Sequence, residues 1–410
     1  MPEPLLWARI TAAYLQLHRD GDVGAAHRLL VQAVHGGSEG GSERGPEGGS
    51  DDGPGGEPGG SAFMGMHEAL YTTLFACCFG GRGDLWDAFD AVARRHAGGV
   101  SADLALYCSV FTDTAQQSRA VRIRIREQLS GSAPGRQDWF PPRLGLAAMQ
   151  IDALDECRSR LRTALEHERG GGTLSSRLCC LLLLAVEARL SGSWKESSGY
   201  AREGLALAEE ADYQLYAWAL RCQLLLLAAC RGDAATAQDM AKKIAAWAGP
   251  RRVGLATAAV LHARALLALS EGNYEEAYGL TSRAVPLGGP DPRVPYVAAM
   301  VMDLVEAAMR TGRTEEAKAC AAAARRVGLD QVSPRMEMLT RAAEALAAGD
   351  GDQAGQVFAD ALADPGTSRW PFERARVQLC YGGWLRRARH LSDARTQLRA
   401  ALDTFEGLGL

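Results

Sequence analysis

The chain has 410 residues, a formal net charge of −4, 47% hydrophobic and 23% charged residues, and ten cysteines. That is the composition of a folded protein with room for roughly two or three domain-sized cores, neither disordered nor fibrous. The slightly acidic balance gives no electrostatic reason to expect nucleic acid or an anionic membrane as partner. The longest apolar run, Leu178 to Val186, is of buried-helix length and far short of the roughly 20 residues that span a bilayer. The N-terminus shows no basic region followed by an apolar core and a cleavage site, so the cytoplasm is the expected location.

In chain order, residues 1–35 read as a helix pair around Gly21-Asp22-Val23-Gly24-Ala25-Ala26. Residues 36–61 are nearly all Gly, Ser, Glu, Asp and Pro. With no hydrophobic residue to bury, this stretch is expected to be a flexible, slightly acidic insert. Beyond it, residues 62–410 read as one continuous helical-repeat array, with residues 1–35 either docked back onto it or capping it. Weak copies of a turn phrase open the array at Gly83-Asp84-Leu85-Trp86-Asp87-Ala88, Thr112-Asp113 and Ile151-Asp152-Ala153-Leu154-Asp155-Glu156. Between them, Val121 to Arg126 alternates like a strand, but its place in the second half of a copy predicts helix.

The phrase is clearest in the middle of the chain: Ser191-Gly192-Ser193-Trp194, Arg231-Gly232-Asp233-Ala234, Glu271-Gly272-Asn273-Tyr274 and Thr311-Gly312-Arg313-Thr314. Its glycines recur every 40 residues, and such self-similarity marks a repeat architecture. Gly is suited to the left-handed conformation that ends a helix. Ser193, Asp233 and Asn273 suit the N-cap of the next. Glu275, Glu276, Glu315 and Glu316 place negative charge where the helix dipole favours it. Small residues (Ser197, Ala237, Ala277, Ala317) then let the paired helices approach. Breakers follow at Gly249-Pro250, Pro286 through Pro295, Ser333-Pro334 and Asp364-Pro365-Gly366. Later copies are Gly349-Asp350-Gly351-Asp352 and, without its glycine, Arg389-His390-Leu391-Ser392. The fold expected is all-α: a right-handed superhelical solenoid of antiparallel helix pairs, tetratricopeptide-like, with about 40 residues per repeat and eight or nine pairs.

Chemistry is sparse. Gly36-Gly37-Ser38-Glu39-Gly40 matches a nucleophile elbow literally but lies in the low-complexity tract without the strand and helix that elbow needs. There is no P-loop, no C-x-x-C, and no His pair at helical metal spacing. The cysteines, including the vicinal pairs Cys77–Cys78 and Cys179–Cys180, read as small buried hydrophobes. His262 reads as a core or groove residue. Arg122, Arg124 and Arg126, then Arg158, Arg160 and Arg162, then Arg386, Arg387 and Arg389 read as solvated faces balanced by carboxylates, with a groove for an acidic peptide as the alternative. No catalytic, cofactor, metal or DNA-binding residue is assigned, and no enzyme is expected.

Glu271-Gly272-Asn273-Tyr274-Glu275-Glu276-Ala277 resembles the turn of a tetratricopeptide repeat, although the period is 40 rather than 34 and the aromatic signature of the first helix is missing. The C-terminal run is more specific: Arg369-Trp370-Pro371-Phe372-Glu373-Arg374-Ala375-Arg376, Tyr381-Gly382-Gly383-Trp384-Leu385-Arg386-Arg387, and Leu398-Arg399-Ala400-Ala401-Leu402-Asp403-Thr404-Phe405-Glu406-Gly407-Leu408-Gly409. It resembles the last repeats of the large ATP-binding regulators of the LuxR transcription-factor family, common in actinobacteria. The excess of arginine over lysine, of which there are only four, agrees with GC-rich coding of that kind. The resemblance implies a transcriptional regulator's sensing or assembly part, truncated or separately encoded, without the family's ATPase and helix-turn-helix. It implies a protein or peptide partner, or self-association, with no nucleic acid or membrane contact from this chain. A stand-alone scaffold unrelated to transcription is the other reading.

Overall fold

The computed structural model describes residues 3–37, 61–96, 102–130, 140–286, 288–291 and 293–410. Among them every regular element is helical, as the apolar spacing of three and four requires. The N-terminal elements are α1 (Glu3–Leu15), continued by a π-turn (Gln16–Asp20), α2 (Val23–Gly37), α3 (Ser61–Gly80) and α4 (Gly83–His96). Next come α5 (Ala102–Thr112), α6 (Thr114–Ser130), α7 (Phe140–Gln150) and α8 (Leu154–Arg169). The middle comprises α9 (Leu174–Leu190), α10 (Trp194–Glu210), α11 (Gln214–Cys230), α12 (Ala234–Arg251), α13 (Gly254–Ser270) and α14 (Tyr274–Ala284). The C-terminal part holds α15 (Pro295–Ala298), α16 (Val301–Arg310), α17 (Thr314–Arg326), α18 (Pro334–Ala347), α19 (Asp352–Ala363), α20 (Pro371–Arg387) and α21 (Leu391–Gly407). The low-complexity tract expected at 36–61, with its Ser38 elbow match, lies outside the described residues except at its two edges.

Consecutive helices pack in pairs, and the first helices of successive pairs also stack on each other: α1 on α3, α7 on α9, α9 on α11, α11 on α13, and α16 on α18. The turns follow the chemistry read from sequence. Gly192, Gly232, Gly272 and Gly312 all adopt positive φ, between 72° and 82°. Asp233 and Asn273 cap α12 and α14 by accepting from Thr236 N and Glu276 N. Ser193 makes no such bond; a neighbouring hydroxyl, Ser197 Oγ, is buried instead and donates to the Ala185 carbonyl at 2.7 Å. The strand-like stretch at Val121 is helical, inside α6. Two details differ from expectation. The left-handed glycine of the α3–α4 turn is Gly81, not Gly83, which already belongs to α4. Gly249-Pro250 does not separate helices, because α12 runs through Pro250 and ends at left-handed Arg252. A proline ring costs a helix a bond to the carbonyl four residues back, but here it sits in the last turn.

The N-terminal elements pack on helices of the middle of the chain. Twelve of the 17 residues of α9 are buried, and 13 of the 17 of α11, against four of 18 in α12. Of the first helices of the middle pairs, α11 and α13 are also contacted by the N-terminal elements. The π-turn lies on α11 and α3 lies on α13. Arg19 reaches Asp212 at 3.1 Å, Arg251 donates to the Asp20 carbonyl at 3.0 Å, and Tyr296 donates to the Cys78 carbonyl at 3.4 Å. Residues 3–35 therefore dock onto the array. At the α3–α13 crossing the backbones touch through glycines, and a Cβ at Gly254 would collide with the Gly80 carbonyl.

These two uses of glycine predict different outcomes. At Gly272 a Cβ would meet open space, so Gly272→Val costs only the left-handed backbone, roughly 1–2 kcal/mol. Gly254→Ala forces α3 off α13, and overpacking of this sort costs roughly 1–3 kcal/mol. Urea denaturation measures both losses, and hydrogen exchange separates them: only Gly254→Ala should speed exchange in α3.

Candidate functional site

Where the N-terminal half meets the last helices, the contact is polar. Asp152, in the α7–α8 turn, occupies the place that Gly192 holds 40 residues later, and keeps the left-handed backbone with φ 52°. An L-residue pays for that conformation; Asp and Asn pay least. The carboxylate so placed turns inward, accepting from Ser333 Oγ at 2.7 Å and from Arg335 Nη1 at 3.2 Å. Arg335 also bonds Glu373 Oε1 at 3.0 Å. The Asp152 and Arg335 side chains are only 5% and 7% exposed. Burial works against the Arg335 charge, but Asp152 and Glu373 outweigh it and hold its pKa above the ordinary guanidinium value.

A second buried group adjoins the first. Asp303, on α16, is 1% exposed and is paired with Arg376, while His262 Nε2 stands 3.3 Å from its other oxygen. Arg376 also reaches Glu306 at 3.0 Å. Burial alone would raise the Asp303 pKa; Arg376 and His262 more than offset it and hold the carboxyl below its usual range. Arg189 stands alongside with Gln223 as hydrogen-bond partner at 3.0 Å, and burial lowers its pKa. Arg189, His262, Arg335 and Arg376 share a cavity of about 30 Å³, enough for an ordered water. His262 thus lines this cavity with its ring against the Asp303 carboxylate.

Beside this network opens a cleft of about 180 Å³ lined from both halves of the chain. Asp155, Arg158 and Leu154 come from α8, Glu187 and Leu190 from α9, and Arg369 and Trp370 from the segment leading into α20. Arg369 pairs with Asp155 at 2.5 Å and lies over the Trp370 ring, and Arg158 pairs with Glu187. Around the cleft the closure is sealed by apolar contact: Trp194, Leu227, Cys230 and Leu266 pack with Phe372 and Leu408. No sequence signal placed Asp152, Asp303 or Arg335 in a site.

The arginine clusters do not line one groove. Arg122 and Arg126 both hold Glu156, Arg162 holds Glu196, Arg169 holds Glu203, and Arg387 holds Asp350. The first four join α6 to α8 and α8 to α10, and the last joins α20 to the α18–α19 turn; each contributes up to about 1 kcal/mol where exposed. The cysteines carry no disulfide and seven are buried; burial pushes the Cys157 thiol up to about 12. Among the described residues no group of three or more His, Cys, Asp or Glu is placed to hold a metal, and no helix is long and apolar enough to cross a membrane.

Of the two histidines buried in the N-terminal elements, His27 and His18, the second seals the other contact. His18, in the π-turn, sits among Tyr14, Phe75, Tyr213 and Tyr216, stacked on the last at 5.4 Å. Its Nδ1 is buried without a hydrogen bond, and burial lowers its pKa to about 3.

The fold defines an all-helical protein of sequentially packed helix pairs, consistent with a helical repeat. Comparison with protein-family models finds no matching family, and comparison with curated proteins finds no significant match.

Two predictions follow from these buried groups. Asp152→Gly relieves roughly 1 kcal/mol of backbone strain but breaks a buried pair, which costs roughly 3–5 kcal/mol; a net loss of about 2 kcal/mol or more is expected in urea titration. A gain would show that the turn, not the pair, dominates. For His18, whose pKa is depressed in the folded chain, stability is full above the unfolded value of 6.5 and falls as pH drops toward about 3. His18→Phe should flatten that part of the melting temperature–pH profile.

Proposed function

We propose that the chain is a right-handed superhelical array of tetratricopeptide-like pairs, about 40 residues per unit, serving as a non-catalytic protein-interaction or effector-sensing module. In this reading it works in the cytoplasm as the sensing or assembly part of a LuxR-type transcriptional regulator. The unit length is supported by the left-handed positions at 152, 192, 232, 272 and 312, and again at 349 and 389. The observation that carries the function is the nature of the closure. The two halves of the chain meet through buried paired charges beside cavities as well as through apolar contact, and such a contact responds to a bound molecule more readily than close-packed apolar surface does. The regulator context is supported by the C-terminal run from Arg369 to Gly409, whose Arg369, Trp370, Glu373 and Arg376 all belong to this seam.

A stand-alone scaffold is the second reading. Leu379, Leu391 and Leu402 are about half exposed on α20 and α21, a face on which another helix pair can stack. Affinity capture with the full chain from its native host separates the two. Recovery of a DNA-binding regulator or RNA polymerase is the expected result; a reproducible set of proteins unconnected with transcription would leave the scaffold.

A further inference from the structure

We infer that the cleft between α8, α9 and the Arg369–Trp370 segment binds a small zwitterion of the α-amino-acid type with an apolar side chain. The inference rests on the effector-sensing reading and gives the effector a chemical class. Size comes first. A void of about 180 Å³ slightly exceeds the roughly 150 Å³ that accommodates benzene, so its occupant has on the order of six to nine heavy atoms.

Charge comes next. Among the described residues, Arg158 engages Glu187 and Ser191 through Nη2. Arg369 uses Nη1 for Asp155 and Nε for the Gly366 carbonyl. Arg158 Nη1 and Arg369 Nη2 are therefore donors left for a carboxylate, and Asp155 Oδ1 and Glu187 Oε2 are acceptors left for an ammonium group. Both signs line the cleft, already paired with each other. An ion of either single sign would unbalance these pairs, whereas a zwitterion leaves the net charge unchanged. Met149, Leu154, Leu190 and Trp370 form the apolar remainder. Asp152, held in a strained turn, fixes Arg335 behind the cleft, and strain of this kind concentrates at binding and switching sites.

The occupant would touch α8 and α9 on one side and the approach to α20 on the other, so binding would tighten the closure. Isothermal titration calorimetry and thermal unfolding of the full chain test this with L-valine as probe. Isobutylamine and isobutyrate, which keep one charge each, and L-phenylalanine, which is too large, serve as comparisons. The expected result is saturable L-valine binding that raises the melting temperature, with each comparison at least tenfold weaker. Asp155→Asn and Arg369→Gln alter a pair that is more than one-third exposed, so both should fold with an unchanged circular dichroism spectrum and bind L-valine at least tenfold more weakly. No L-valine binding, equal binding of the one-charge probes, or full binding by both variants overturns the inference. A blank titration alongside capture of a regulator would remove the ligand and leave the module. Binding without a regulator would do the reverse.

Discussion

Helices α9, α11 and α13 are apolar on nearly every side, and a helix of that kind is stable in water only when every side is covered. In an open array each would bury two sides against its neighbours and one against its own partner, leaving a strip facing inward. The strip on α11 and α13 is met by the π-turn and α3, brought back from nearly 200 residues away. The glycine crossing at Gly254 and the aromatic cluster around His18 both serve that need. The inner surface is therefore occupied by the chain itself.

The closure toward the C-terminus is solved differently. Beside its apolar contacts, two adjoining groups of ion pairs meet there, Asp152–Arg335–Glu373 and Asp303–Arg376–Glu306, and the members of each must be satisfied together. Buried pairs of this kind contribute little net stability against an apolar alternative, yet breaking one is costly. They specify which surfaces meet more than how strongly. The aspartate in a glycine's place marks where local backbone preference yields to that requirement, and conflicts between local and global preference gather at functional positions.

Much of the fold was legible in the sequence. The glycines at 192, 232, 272 and 312, the caps Asp233 and Asn273, and the small residues Ala237, Ala277 and Ala317 each state a local requirement, and all adopt the expected setting. Whether residues 1–35 dock back on the middle or cap it was left open by the sequence, because apolar periodicity says that a face is buried and not by what. The all-round apolarity of α9 and α11 was the available signal; it fits cover from both sides. The seam was hidden for a related reason. Asp152, Asp303 and Arg335 are ordinary charges in sequence, separated by up to 183 positions, and only the winding brings them together.

Contacts of that span alter how the array must fold. Repeat arrays whose units touch only their neighbours fold by local nucleation and propagation. Here Arg19 meets Asp212, 193 residues on, and pairings so distant slow folding by the loop-closure entropy that precedes them. At ribosomal rates of about 5–20 residues per second, α1 to α3 would wait roughly 10–40 s for α11 and α13 to emerge. During that interval the surface that will lie on the middle of the array stays bare. Synthesis of this protein thus passes through an obligatory window of exposed apolar surface, the situation in which nascent chains depend on chaperones.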